Sequence, residues 1–147
     1  MRVDFYLLAE TTTDTALLFA CRLLEKAYLQ QQTVFVCCPS PAVAENLDNL
    51  LWTFKDVGFI PHQLIQDKNY SQKAPIQIGV QEKPAALESN ILLNLSNNIP
   101  VFAFDYKRVL ELVLNEPAAK QAGRERYREY RTRACTLHTH NFLTTEA

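Results

Sequence analysis

Six cations lie between residues 120 and 133, in the stretch KQAGRERYREYRTR: Lys120, Arg124, Arg126, Arg128, Arg131 and Arg133. Glu125 and Glu129 are its anions, so it carries a local +4 in a chain whose net charge is −1, and the remaining residues sum to −5. A guanidinium presents a planar fork of donors that meets a carboxylate or a phosphate through two parallel hydrogen bonds. Wound as a helix, Lys120, Arg124, Tyr127, Arg128 and Arg131 fall within an arc of roughly 100°. Arg126, Tyr130 and Arg133 gather on another face. Like charges at i,i+4 spacing repel, so the first face costs an isolated helix some stability and suggests an anionic partner. A solvated, salt-bridged terminal helix is the plainer reading of the same residues.

The residue types that carry catalysis do not assemble elsewhere. The chain has three glycines, Gly58, Gly79 and Gly123, and neither a G-x-G-x-x-G nor a G-x-x-x-x-G-K-[ST] motif. The close backbone approach that cradles a phosphate needs such glycines, which argues against a nucleotide cofactor and against a small nucleotide hydrolase. Asp4, Glu10, Asp14, Asp48 and Asp56 form no D-x-D pair, and no serine sits in a G-x-S-x-G elbow. Cys135, His138 and His140 have metal-like C-x-x-H-x-H spacing but lack a fourth ligand, so no metal is expected. Neither an active site nor a cofactor site is legible.

A second unusual stretch runs from Trp52 to Ile60, where Trp52, Phe54, Phe59 and Ile60 surround a glycine and two charges. Such aromatics either cap a core or form a contact patch for a partner, and the residues alone leave both open.

These features require a scaffold. At 147 residues and 48% apolar composition the chain suits a single globular domain, 1–147. No apolar run is long enough to cross a membrane, and the amino terminus lacks a signal-peptide pattern. Four cysteines without paired spacing suit a reducing cytoplasm. Residues 3–8 and 33–38 read as buried strands. Helices are expected from Asp14, as N-cap, to about Gln31, and from Ser40 and Pro41 to about Phe54. This β-α-β-α opening predicts a parallel sheet. Loops are expected at 55–61 and 67–75. Further short strands are expected at 62–65, 76–80, 91–95 and 101–105, a compact helix at 106–114, a fresh helix from Asn115 and Pro117, and a loose tail from about residue 134.

The segments FYLL (5–8), LLW (50–52), FIPH (59–62) and RERYREYR (124–131), in this order and spacing, resemble the chi subunit family of bacterial DNA polymerase III holoenzyme, over nearly the full length. The resemblance implies a three-layer α/β/α domain with a central, mostly parallel sheet, Rossmann-like but without a nucleotide site. It implies an accessory, non-catalytic subunit of the polymerase that pairs with the psi subunit of the clamp loader and grips the acidic carboxyl-terminal tail of single-stranded DNA-binding protein. Carried onto this chain, tail binding falls on Lys120, Arg124, Tyr127, Arg128 and Arg131, and psi binding on Trp52 and Phe59. DNA would be met only indirectly. The competing reading is a module that binds single-stranded nucleic acid directly, with Tyr127 and Tyr130 stacking on bases; the acidic remainder of the chain weighs against it.

Overall fold

The computed structural model describes residues 1–54, 60–64, 74–80 and 90–143. The expected loops at 55–61 and 67–75 fall largely outside these residues, and Phe59 wholly so. Seven parallel strands form one sheet: β1 (Arg2–Leu8), β2 (Val34–Cys38), β3 (His62–Leu64), β4 (Ile76–Val80), β5 (Ile91–Asn94), β6 (Arg108–Val113) and β7 (Thr136–Phe142). Their spatial order is β3-β4-β2-β5-β6-β1-β7. Among the described residues three helices, α1 (Thr13–Leu29), α2 (Pro41–Thr53) and α3 (Pro117–Thr132), complete an α/β fold.

The strands between the two edges are mostly apolar and buried along nearly their whole length, because a parallel sheet is covered on both faces. Alternation assigns their side chains. Tyr6, Leu8, Val34, Val36, Cys38, Ile78, Leu93 and Leu110 pack beneath Leu17, Cys21 and Leu24 of α1 and Leu47 and Leu51 of α2. Val3, Phe5, Phe35, Cys37, Leu92, Val109 and Val113 face the other way, with Tyr130 of α3 and Tyr106. Cys37 and Cys38 thus serve opposite faces as small buried hydrophobes.

Four expectations are corrected. Residues 106–114 are not a helix; β6 occupies Arg108–Val113, paired on either side with β5 and β1. A short apolar run fits both periodicities, and burial on two faces selects the strand. Residues 101–105 are not a strand: Val101 is 97% exposed and Ala103–Asp105 form one 3₁₀ turn. The N-cap of α1 is Thr12, whose Oγ1 accepts from the Thr15 amide, and Asp14 stands in the first turn where its charge suits the helix dipole. Finally, residues 136–142 are not loose, since β7 pairs in register with β1 from Arg2↔Thr136 to Leu8↔Phe142. Its polar sequence, TLHTHNF, hides it from a search for apolar runs, and an edge strand needs no such run.

Candidate functional site

Glu116 begins α3 by accepting from the amides of Ala118 and Ala119 at 2.9 and 3.0 Å, with Pro117 at the first helical position. The helix then lies close against β6 at Gly123. A Cβ at that position would meet Val113 Cγ2 at 3.0 Å and Cγ1 at 3.2 Å, so the absence of a side chain sets the spacing between the two elements.

The face of α3 toward the sheet carries Arg126 and Tyr130, both buried. Arg126 Nε donates to Glu111 Oε1 at 3.0 Å, and Tyr130 Oη to Glu111 Oε2 at 2.6 Å. Asn94 Nδ2 donates to the same carboxylate at 3.0 Å, and the Arg126 guanidinium also reaches the carbonyls of Asn97 and Leu112. Burial pushes the Glu111 carboxyl up, opposed by Arg126, Asn94 and Tyr130; burial, then the Glu111 charge, push the Tyr130 hydroxyl up. Arg133, at the C-cap, pairs with Glu129 at 3.0 Å and lies 4.1 Å above the Phe104 ring. Two of the six cations are therefore structural.

The other four, Lys120, Arg124, Arg128 and Arg131, line a groove of about 510 Å³ together with Tyr127. Its floor is apolar: Phe5 and Leu7 of β1, Val113 of β6, Leu114, and the bare backbone of Gly123. Thr139 of β7 and the following Leu143 form the far side. Tyr127 is half-buried, its ring centroid 5.3 Å from that of Phe5. Arg124, Arg128 and Arg131 are exposed, and no carboxylate among the described residues pairs with any of the four cations. All five residues assigned from the sequence to one binding face thus line one groove. Chemically, the groove offers charge-assisted donors around an apolar seat, an arrangement that suits an anionic group joined to a hydrophobic one. Tyr130, a stacking residue in the nucleic-acid reading, is fully buried and bonded to Glu111, so it presents no face to a base.

The second stretch divides. Ile60 is buried and Phe54 packs against the core beneath α2, whereas Trp52 is 58% exposed. The Trp52 ring meets His62 edge-on at 4.9 Å, and His62 is held by the Ile60 carbonyl at 2.7 Å and by Asp48 at 3.3 Å.

Two polar clusters escaped the sequence reading. Glu111 is one. Asp4 is the other, fully buried and bound by Arg2 at 3.0 Å, Arg108 at 2.8 Å and His140 at 2.9 Å. The signal in both cases was an acid inside an apolar strand, VDFYLL and VLELV, where only a paired charge is tolerated. His140 also stacks on Tyr6 at 4.6 Å. The C-x-x-H-x-H string is therefore dispersed, with Cys135 packed on the α3-side core, His138 exposed and His140 bound to Asp4.

An all-parallel α/β sheet with a basic groove between its last helix and last strand is the class of protein defined here. Residues 1–138 match the family model described as DNA polymerase III chi subunit, HolC. The chain is 38% identical to the DNA polymerase III subunit chi of Pseudomonas aeruginosa over 139 residues, covering 95% of each chain. It is 31% identical to the subunit chi of Haemophilus influenzae, covering 94% of this chain and 95% of that one, and 30% identical to that of Escherichia coli, covering 92% and 94%. The chain belongs to the DNA polymerase III chi subunit family, accessory subunits of the polymerase complex in DNA replication.

Proposed function

We propose that this chi-family chain is a non-catalytic, cytoplasmic adaptor that holds the acidic carboxyl-terminal tail of single-stranded DNA-binding protein in the α3 groove. Through Trp52 and its surroundings it would engage the psi subunit and, by it, the clamp loader. The observation that carries the reading is the set of four cations around an apolar floor, with no carboxylate partner among the described residues. Such cations repel one another unless an anion joins them. Arg124 and Arg128 fit a carboxylate as bidentate forks, Lys120 and Arg131 add positive potential, and Phe5, Leu7 and Tyr127 seat an apolar side chain between them.

The expected affinity for a peptide ending in aspartates, an apolar residue and a free carboxylate is micromolar and falls as salt rises. Arg124→Ala should weaken it about tenfold, the loss of one charge-assisted contact. Calorimetric titration of both proteins measures this. Equal affinities would refute the assignment of the groove.

A further inference from the structure

Among the described residues no strand pairs with the outer edge of β7. β7 is seven residues long, and its register with β1 runs unbroken from Thr136 to Phe142. At the opposite edge, β3 spans three of the described residues. Sheet edges are ordinarily blunted by proline, lysine, a bulge or brevity, because a row of free amides and carbonyls is a template for another strand. TLHTHNF has none of these devices. The Thr136 amide donates to Met1 O on the β1 side. Alternation then turns the backbone N–H and C=O of Leu137, Thr139 and Asn141 outward, where no strand among the described residues meets them. At roughly 3.3 Å per residue this is about 23 Å of free edge.

Two kinds of strand fit an open edge: a second copy of this chain, or a segment of a partner. Charge decides between them. α3 packs against β7, so pairing two copies edge to edge would bring two sets of Lys120, Arg124, Arg128 and Arg131 alongside, with no carboxylate partner for them among the described residues. An extended acidic peptide meets the opposite sign. Thr139 joins the two features, since its side chain lines the groove while its backbone faces the free edge.

We infer that β7 continues the groove: an acidic peptide anchored there by its end extends upstream as an eighth strand along the outer edge of β7. The inference rests on the groove reading above. Backbone bonds give such a strand affinity without demanding a particular sequence, which suits a segment whose only fixed chemistry is acidity and an apolar terminus.

Two synthetic peptides separate the questions, one covering only the acidic, apolar-ended terminus and one extended upstream by about seven residues. The longer should bind about tenfold tighter, and N-methylation of alternate upstream amides should remove that gain. In hydrogen exchange, the longer peptide should slow the amides of Leu137, Thr139 and Asn141, which face out. Those of His138 and His140, already bonded to β1, should change little. Equal affinity of the two peptides with no slowing at Leu137, Thr139 and Asn141 overturns the strand addition while leaving the groove intact. Failure of the short peptide to bind overturns both. A concentration-dependent dimer that slows the same three amides without peptide would assign the edge to a second copy instead.

Discussion

Asp4 shows how a single side chain can tie three strands. It lies on β1, and its carboxylate takes hydrogen bonds from Arg2 on the same strand, Arg108 on β6 and His140 on β7. Burial raises its pKa, but the bonds from Arg2, His140 and Arg108 outweigh burial and bring the group from its ordinary 3.8 down to about 2. A carboxylate with a depressed folded-state pKa contributes stability that is complete above the unfolded value and is lost as pH falls through the folded one. The window is therefore pH 4 to 2. Asp4→Asn should be less stable than the parent at neutral pH, and most of the charge-dependent part of the difference should be lost across that window, the remainder going only below pH 2. Urea denaturation at a series of pH values measures it, and a gap constant between pH 4 and 2 would show that Asp4 acts through something other than its charge. Legibility at this scale was uneven. The groove residues were readable because helical periodicity gathers Lys120, Arg124, Tyr127, Arg128 and Arg131 without tertiary information. Asp4 and Glu111 were not, because their partners lie as far as 136 residues away in sequence.

Among the elements, α3 separates its tasks by face. Arg126 and Tyr130 dock it on Glu111, while the groove cations stand outward. Between the faces, Gly123 sets how deeply the helix sits on β6. Gly123→Ala gains helix propensity of up to about 1 kcal/mol, but its methyl must displace Val113, a buried β-branched side chain with little rotamer freedom. Overpacking costs typically 1–3 kcal/mol, so net destabilisation of about 1 kcal/mol is expected. In a Val113→Ala background the clash is relieved, and the glycine-to-alanine change should become neutral or stabilising. A double-mutant cycle by thermal melts reads the difference in sign, and equal effects in both backgrounds would show that Val113 yields freely. The sequence located α3, α1 and α2 to within a few residues because their caps and stripes are local signals. It missed β6 and β7 for opposite reasons. VLELV is apolar enough for either structure, and TLHTHNF is too polar to suggest a sheet at all. Only pairing on both sides of β1 distinguishes them, and pairing is not a local property.

Across the whole molecule, the sheet separates the two proposed surfaces. α2, which carries Trp52, packs on β2, β3 and β4, while the groove opens at β6, β1 and β7, on the other face. At about 4.8 Å between strands, six intervals put the two edges roughly 29 Å apart. What lies between is a closely packed sheet whose middle strands are buried on both faces. Sites joined by one rigid body couple weakly, because each ligand must favour one of two states for the other to sense it. An adaptor of this kind should bind its two partners independently. Trp52→Ala should abolish co-purification with psi while leaving acidic-peptide affinity and thermal stability essentially unchanged, as expected for an exposed side chain. Arg124→Ala should do the reverse. Peptide affinity measured for the free chain and for its psi complex should agree within about twofold, a coupling below roughly 0.5 kcal/mol. A change beyond tenfold would reveal a conformational link through the sheet, and the groove would then have to be read as a regulated site instead of one half of a passive bridge.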